Sequence, residues 1–538
     1  MMRVSALLKW FFRLFLDFYC YIYRVLFYSS QKHRIPAIKN KILLSSAVEI
    51  ADKVRTGEWK AVDVIEAHIN RILEVNTLIN AVVEIRKEAF RDAQRIDEMI
   101  AAQLSNSKGE TVKDSILNLP LLGVPFTCKD SVGVEGMRLT CGIVRRKHVL
   151  ATETAVVVSR LQTAGAILIG ITNVPEYSFW WDTENKLYGR TNNPYDLSTI
   201  PGGSSGGEAA IISSCGSVFG VGTDIGGSIR LPAFFCGIFG HKVTPGIIPT
   251  RGIFPLPDKQ RECFFSIGPL CRYASDLLPI LKVMSRDYIE KLPKLGEIVD
   301  LSRIDVFYME DDYDPNKTRV DIEIRGAMME AIRYLENAFK IRCKRFFFHK
   351  MRDSVSIWVS VMKSISDTTM ANSLAENDGV NHINIYWEFI KSLFGYSKHT
   401  TSMMFMALVD AFFSKDSELI ERELQKMQEL KQQFSYLLGK NGIFLYPTHP
   451  ETAPTHGTTV FKASNVGFVS IFNVLNTPVT QCTLGIATNG MPIGLQIVSN
   501  EYNDHLTIAV ANELEKAFGG WVAPCTIDLL NTKQVINI

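Results

Sequence analysis

Two glycine-rich turns within one short segment constrain the fold of this chain more tightly than any other feature. Residues 201–232 read PGGSSGGEAAIISSCGSVFGVGTDIGGSIRLP, with glycines clustered at both ends. Glycine concentrates where the backbone adopts a positive φ or closely approaches another group. The second cluster, residues 222–228, follows a strand-like run, so its amides could converge on an anion. The segment therefore predicts two tight turns, each of which presents a serine.

Three kinds of site can be built on such turns. A phosphate-binding loop fits poorly, because neither GxxxxGK[ST] nor GxGxxG spacing occurs. Residues 202–206 fit the GxSxG pattern of a nucleophile elbow. Such an elbow requires a strand that runs directly into Ser204, but residues 192–201 are typical of a loop. A serine hydrolase that uses a lysine as its base is the third interpretation. Spacing and composition leave these alternatives open.

Strand-like and helix-like patterns alternate along the rest of the chain. Strands are predicted at residues 81–85, 123–127, 166–171, 218–222, 304–308, 443–446 and 493–498, and helices at 62–73, 88–102, 153–164, 209–215 and 504–517. Ser46 and Glu49 form a capping box, Gly57 is typical of a helix end, and residues 105–115 are typical of a surface loop. The absence of a repeat or linker predicts a single large α/β domain over residues 37–538.

The composition argues against several classes of function. Ten cysteines without CxxC spacing indicate reduced thiols, and the ten histidines include no HExxH motif. The sequence therefore predicts no metal and no other cofactor. A net charge of +2 without a basic stripe gives no reason to expect a nucleic-acid partner. A small molecule is the expected partner, and assembly into a homo-oligomer is left open.

Residues 1–36 differ from the rest of the chain, because residues 5–28 are rich in Leu, Phe and Tyr. No uncharged run there approaches the roughly 20 residues that a membrane span needs, and no signal-peptide cleavage site is evident. The charged residues fall within an arc of roughly 120° on a helix: Arg3, Lys9, Arg13, Asp17 and Arg24. We predict a membrane-associating helix that lies in the interface. A helix packed on the protein and a tilted spanning anchor are the alternatives.

Residues 383–413 form a second apolar region, rich in aromatic residues and methionine. They could form a tunnel for an acyl chain or a cap that dips into a membrane. Two ordinary core helices are an equally good interpretation, because stripes of Met and aromatic residues usually belong to a core.

The glycine-rich segment resembles the amidase signature family. The resemblance rests on GGSSGGEAA at residues 202–210, on GTDIGGSIRLPAFFCGIFGHKVTP at 222–245, and on GVPFTCKD at 123–130. Similarity to the fatty-acid amide hydrolases of that family extends along nearly the whole chain. The resemblance implies an α/β fold in which helices cover a central mixed β-sheet.

The resemblance also implies a role for individual residues. Ser228 matches the nucleophile that forms the acyl-enzyme, Ser204 the bridging serine, and Lys129 the base. The backbone amides that match the family's oxyanion hole are those of Ile225, Gly226, Gly227 and Ser228. Asp224 and Arg230 are expected to orient the turn. His241, His449 and His505 are candidates for a triad base, but we do not expect any of them to act as one.

These expectations combine into a membrane-associated serine amidase that hydrolyses fatty-acid amides to a fatty acid and ammonia or an amine. An intracellular membrane or a lipid-droplet surface is the expected location, with residues 1–36 as the anchor. The alternatives are another amidase of the family, such as a small-amide hydrolase or a glutaminase-type transamidation subunit, and a catalytically idle, membrane-tethered binding protein.

Overall fold

The structure is a computed structural model, and it describes residues 34–106, 115–257, 259–365, 368–412 and 417–529. Nearly all of the predicted membrane-associating segment 1–36 lies outside the described residues, as does most of the predicted loop at 105–115. The domain boundary between residues 36 and 37 stays a prediction.

A large β-sheet lies at the centre of the described chain. The strands in chain order are β1 (Val82–Ile85), β2 (Pro125–Lys129), β3 (Ile167–Thr172), β4 (Glu184–Asn185), β5 (Gly189–Arg190), β6 (Phe219–Asp224), β7 (Phe239–Lys242), β8 (Ser266–Cys271), β9 (Asp305–Tyr308), β10 (Cys343–Arg345), β11 (Gly442–Tyr446), β12 (Val479–Ile486) and β13 (Pro492–Ser499). Strands β4 and β5 pair with each other, and the other described strands form one sheet in the order β1-β3-β2-β6-β8-β7-β12-β13-β11-β9-β10.

The sheet is mixed. Strand β2 is parallel to both of its neighbours, β3 and β6, whereas β8 pairs antiparallel with β6 and β7. Every residue of β2, β3 and β6 is buried. Parallel strands covered on both faces are expected to be apolar along their length. The polar residues at the ends of these strands are therefore exceptions that call for a chemical reason.

Helices cover the sheet on both faces. In chain order they are α1 (Ala47–Arg55), α2 (Ala61–Ile79), α3 (Ala89–Asn106), α4 (Val156–Thr163), α5 (Gly206–Ser213), α6 (Arg230–Phe235), α7 (Lys259–Glu262), α8 (Leu277–Met284), α9 (Ile322–Phe339), α10 (Ser354–Ser364), α11 (Met370–Asp378), α12 (Ile385–Leu393), α13 (Thr401–Phe412), α14 (Ser417–Leu438), α15 (Gly467–Val474) and α16 (Asp504–Phe518). The predicted α/β class with a central mixed sheet is confirmed. No helix within the described ranges is both long and apolar enough to cross a membrane.

Most predicted elements are present with boundaries shifted by a few residues. Ser46 caps α1 as predicted, with its Oγ accepting a hydrogen bond from the Glu49 N–H at 3.1 Å. The predicted start of helix α5 at residue 209 is wrong, because the helix begins at Gly206. A Cβ at Gly207 would lie only 2.5 Å from the Asn173 carbonyl oxygen. Because Gly207 has no side chain, the start of α5 packs directly against the backbone of Asn173, immediately after Ser204 and Ser205.

The two helices predicted within residues 383–413 are present, but they are not a pair of core helices. Helix α13 packs against α11 and α12, and these three helices share a small apolar cluster of their own. Helix α12 buries Ile385 but leaves Trp387 59% exposed, and Phe394, directly after it, is 72% exposed. The interpretation as two ordinary core helices is therefore wrong for α12.

Candidate active site

Lys129, Ser204 and Ser228 come together at one edge of the sheet. Lys129 is the last residue of β2, Ser204 lies in the turn before α5, and Ser228 lies in the turn between β6 and α6. Because β2 and β6 are parallel neighbours, their carboxyl ends meet at the same edge, where open α/β sheets bind their ligands. The sheet topology thus joins three residues that are spread over a hundred positions of the chain.

The Lys129 amine is surrounded by hydroxyl groups and is not exposed to solvent. Its Nζ lies 2.8 Å from Ser204 Oγ and 2.9 Å from Thr223 Oγ1. The Ser205 hydroxyl lies slightly farther away, at 3.3 Å. Burial lowers the pKa of Lys129 to about 8, although nearby acidic groups oppose this shift. A neutral amine in this position can accept a proton from the Ser204 hydroxyl.

The two serine-bearing turns are tied to each other. The Ser205 N–H donates to the Ser228 carbonyl oxygen at 3.1 Å, and the Gly203–Ser204 peptide is cis. Ser204 and Ser228 both line the same cavity. The structure therefore brings all three predicted side chains to one place.

Asp224 shapes the turn that carries Ser228. One of its carboxylate oxygens accepts the Gly227 N–H at 2.7 Å, and the other accepts the Ile229 N–H at 3.1 Å. Arg230 forms an ion pair with Asp224 at 3.1 Å. Burial would raise the pKa of Asp224, but the Arg230 guanidinium outweighs it and holds the pKa below the usual range. These contacts agree with the orienting role predicted for both residues.

Close packing requires Gly227 in this turn and brings Gly226 against a tryptophan ring. Gly227 has a φ of +112°, and a Cβ there would lie 2.3 Å from Val469 Cγ2. A Cβ at Gly226 would lie 3.1 Å from the Trp358 ring, whose Nε1 donates to the Ile225 carbonyl oxygen at 2.9 Å. Trp358 belongs to α10, and nothing in the local sequence pattern indicated that it contacts the turn.

A cavity of about 270 Å³ opens beside Ser204 and Ser228. Most of its wall is apolar, and helices α10, α11 and α13 supply much of that wall. The apolar side chains are Phe179, Ile225, Ile253, Phe254, Pro255, Leu256, Pro257, Phe265, Trp358, Val359, Met362, Met370, Leu374, Met403, Met406 and Val409. Charged groups in the wall include Lys363 and Asp410, which pair with each other.

The helices around this cavity are fastened to the body of the protein at Glu176. Its carboxylate lies 2.6 Å from His399 Nδ1 and accepts the Thr400 N–H at 2.8 Å, at the start of α13. Tyr177, the next residue, lines the cavity and donates its hydroxyl to the Ser373 carbonyl of α11 at 3.3 Å. Residues 176 and 177 therefore hold α13 and α11, two of the three helices that line the cavity.

None of the three histidines considered as bases lines the cavity beside Ser204 and Ser228. His241 is buried between Thr480 at 2.9 Å and Asp504 at 3.1 Å. His449 lies 2.8 Å from the Glu451 carbonyl oxygen, and burial lowers its pKa to about 3. His505, at the start of α16, does not line the cavity beside Ser228. Within the described ranges, no group of three or more His, Cys, Asp or Glu side chains could hold a metal ion.

Comparison with known proteins extends the sequence resemblance. The chain matches the Amidase family over residues 63–508. It is 38% identical over 493 residues to Fatty-acid amide hydrolase 2 of Homo sapiens, and the match covers 90% of this chain and 91% of that protein. It is 40% identical over 502 residues to Fatty-acid amide hydrolase 2-B of Danio rerio, with 92% and 93% covered. A solved structure of fatty acid amide hydrolase superposes with a TM-score of 0.70 at 21% identity, with 90% of this chain and 86% of that chain covered.

The structural likeness establishes the fold, and the sequence match over most of the chain establishes the family. This chain therefore belongs to the amidase signature family and is an amide-hydrolysing enzyme.

Proposed function

We propose that this enzyme hydrolyses amides of long-chain fatty acids and releases a fatty acid and ammonia or an amine. The observation that carries the proposal is the largely apolar cavity beside Ser204 and Ser228. Each methylene group that an acyl chain buries in such a cavity contributes about 0.8 kcal/mol. The relatives named fatty-acid amide hydrolase 2 support the same substrate class.

In the proposed reaction, Ser228 attacks the amide carbonyl carbon and becomes acylated. Ser204 takes the proton of the Ser228 hydroxyl and passes its own proton to neutral Lys129. The proton then returns along the same path to the nitrogen of the leaving group, and the C–N bond breaks. Water hydrolyses the acyl-enzyme, which releases the fatty acid and restores Ser228. Protonation of the leaving nitrogen is essential, because an expelled amide anion is very basic.

The protonation state of Lys129 supports this role. A lysine with a pKa of about 8 is neutral in roughly one fifth of molecules at pH 7.4. An unperturbed lysine is neutral in only about one molecule in a thousand at that pH. Burial at the end of β2 therefore makes the amine available as a base near neutral pH.

The amides of the Ser228 turn would stabilise the negative charge that develops on the substrate carbonyl oxygen. Each such donor is worth about 3–4 kcal/mol in other hydrolases. The Gly227 N–H already donates to Asp224. We therefore assign the oxyanion contacts to the amides of Ile225, Gly226 and Ser228, and to Gly227 the role of orienting the turn.

A substitution in the cavity wall tests the substrate class. Met406→Gln places a polar amide beside the bound chain, so we expect kcat/KM to fall about tenfold for long-chain acyl amides. Activity on a two-carbon acyl amide should stay within about twofold, because that substrate does not reach the wall. A panel of acyl amides of increasing length measures both effects.

The matched control is Met427→Gln, the same change at a partly buried methionine of α14 that does not line the cavity. We expect it to leave the dependence on chain length unchanged. Equal wild-type activity on short and long acyl amides would contradict a lipid substrate. Glutamine hydrolysis that requires a copurifying partner would favour a transamidation subunit instead.

We further propose that the enzyme binds membranes through residues 1–36 and through the exposed apolar face of α12. Tyr386, Trp387, Ile390, Leu393, Phe394 and Tyr396 are all exposed on or just after this helix. Helix α12 packs against α13, which lines the cavity. A helix with exposed aromatic and leucine side chains can insert its apolar face into the lipid interface. A lipid substrate could then enter the cavity from the bilayer.

Sedimentation with phosphatidylcholine vesicles tests this membrane proposal. Trp387→Ala combined with Phe394→Ala should lower the vesicle-bound fraction about tenfold, because two large apolar groups no longer insert. Deletion of residues 1–36 should weaken binding further. The control is Tyr436→Ala combined with Phe461→Ala, which removes exposed aromatic side chains outside α12 and should leave binding unchanged. Unchanged partitioning in the α12 variant and in the deletion would refute both contacts.

A further inference from the structure

Glu208 is a buried carboxyl group that the proposed reaction does not use. It belongs to α5, four residues after Ser204, and has no exposed surface. One carboxyl oxygen accepts the Thr127 hydroxyl at 2.7 Å, and the other accepts the Thr172 hydroxyl at 2.8 Å. Within the described part of the chain, no lysine, arginine or histidine forms an ion pair with it. A buried carboxyl group held only by two hydroxyls calls for a functional reason.

The strand register places this carboxyl group beside Lys129. Thr127 precedes Lys129 by two residues on β2, so both side chains are on the same face of the sheet. Thr172, on the neighbouring strand β3, is the register partner of Lys129. The two hydroxyls that hold Glu208 therefore flank the lysine along the strand and across the sheet.

The sheet leaves space for the carboxyl group at Gly220. This residue is the register partner of Thr127 on β6, and a Cβ there would lie 1.7 Å from Glu208 Oε2. A side chain of any other kind at this position would displace the carboxyl group. Strand β6 therefore lacks a side chain where Glu208 approaches the sheet.

We propose that Glu208 is a positioning residue that governs the charge of Lys129 and thereby sets the lower end of the active pH range. The inference rests on the proposed role of Lys129 as the base. An ionised Glu208 favours the ammonium form of Lys129, which cannot accept a proton. A neutral Glu208 removes that bias. Because the local dielectric constant is low, the two charges influence each other strongly and titrate as a pair.

The titratable groups around this pair are few. Burial raises the pKa of Glu208 to about 8, and its hydroxyl partners and Lys129 oppose that shift. Cys128 lies between Thr127 and Lys129 on β2, so its thiol is on the opposite face of the sheet, and burial raises its pKa well above the usual value. Cys141 and Asp224 are the other acidic groups that act on Lys129. Asp224 stays ionised because Arg230 pairs with it, so Glu208 is the carboxyl group whose charge changes in the same pH range as that of Lys129.

Glu208→Gln tests the inference. Glutamine keeps the size of the side chain and can still accept from one threonine and donate to the other. Loss of the negative charge destabilises the ammonium form of Lys129 and lowers its pKa. The acid limb is the part of the pH profile where kcat/KM rises with pH as Lys129 loses its proton. We therefore expect this limb to move to lower pH by about half a unit to one unit. The rate at which a fluorophosphonate acylates Ser228 should show the same shift, and this rate does not depend on which amide is the substrate.

Glu515→Gln is the matched control. Glu515 is partly buried, burial raises its pKa to about 7, and it accepts the Ala274 N–H at 3.0 Å. This variant should leave the acid limb where it is in the wild type. An acid limb that stays in place or moves to higher pH in Glu208→Gln overturns the inference.

A second variant keeps the test decisive if Glu208→Gln does not fold. Thr172→Val removes one hydroxyl donor from the carboxylate and so disfavours its ionised form. The acid limb should then move in the same direction by a smaller amount, and an unmoved limb overturns the inference. A wild-type enzyme whose labelling at Ser228 shows no acid limb contradicts the role of Lys129 itself. A limb that is present in the wild type but unmoved in both variants contradicts only the role of Glu208.

Discussion

A Ser228→Ala variant is expected to lose at least about 10⁴-fold of kcat on a long-chain acyl amide, because no acyl-enzyme can form without the hydroxyl. The alanine leaves the turn intact, since the Ser228 contact with the Ser205 N–H uses its backbone carbonyl. Fluorophosphonate labelling should disappear as well. Amide turnover and intact-mass analysis of the labelled protein measure both effects.

The matched control for this variant is Ser285→Ala. Ser285 is also buried, and its hydroxyl donates to the Leu281 carbonyl one helical turn earlier, at 2.7 Å. This control should keep wild-type turnover and labelling. Labelling of another serine together with retained turnover in Ser228→Ala would contradict the choice of nucleophile.

Lys129→Met is expected to lower kcat/KM for an amide by about 10³- to 10⁴-fold at pH 8. The substitution keeps an unbranched apolar side chain but removes the amine that takes the proton and returns it. For an ester with the same acyl chain, the fall in kcat/KM should be at least about tenfold smaller, because an alkoxide leaves with less help from a proton than an amide anion does. The ratio of amide to ester activity is therefore the diagnostic measurement.

The pH profile of the same variant provides a second readout. In the wild type, Lys129 must lose its proton to act as a base, so activity should rise with pH through about 8, and below that pH the ammonium form predominates. In Lys129→Met this acid limb should be absent. A variant that retains full amidase activity at neutral pH would refute the proposed mechanism.

Lys242→Met is the control for the loss of a buried lysine. Lys242 is equally buried, burial lowers its pKa to about 7, and its Nζ donates to the Thr477 carbonyl oxygen at 2.6 Å. This substitution should reduce the thermal stability of the protein through the unpaired carbonyl group. It should leave the ratio of amide to ester activity and the position of the acid limb unchanged.

The sequence patterns predicted local structure well where a single residue type carries a strong conformational preference. Ser46 begins a helix because its hydroxyl accepts a backbone N–H three residues later. Gly57 adopts a φ of +74° just after α1 ends, as glycine does at helix ends. The prediction failed at α5, where Gly206 and Gly207 begin a helix although glycine disfavours that conformation. Tertiary contacts outweighed the intrinsic preference there.

Some features of the candidate site were likewise visible in the sequence, and others appeared only in the structure. The glycine-rich turns around Ser204 and Ser228 were visible in the sequence, because glycine marks places where the backbone makes close contacts. The partners of these turns were not. Trp358 lies 130 residues beyond Ser228 in the chain, yet it packs on Gly226 and binds the Ile225 carbonyl oxygen. No periodic pattern indicates a contact between such distant segments.

The amino-acid sequence was therefore sufficient for the α/β class, the two serine-bearing turns and the family, since backbone preferences and motif spacing are local properties. Only the folded chain decided which hydroxyls surround Lys129 and that Glu208 is held nearby. It also decided that α13 faces the cavity while α12 leaves aromatic side chains exposed. The burial and charge of a group depend on which distant elements pack around it, and the order of strands in the sheet determines that packing.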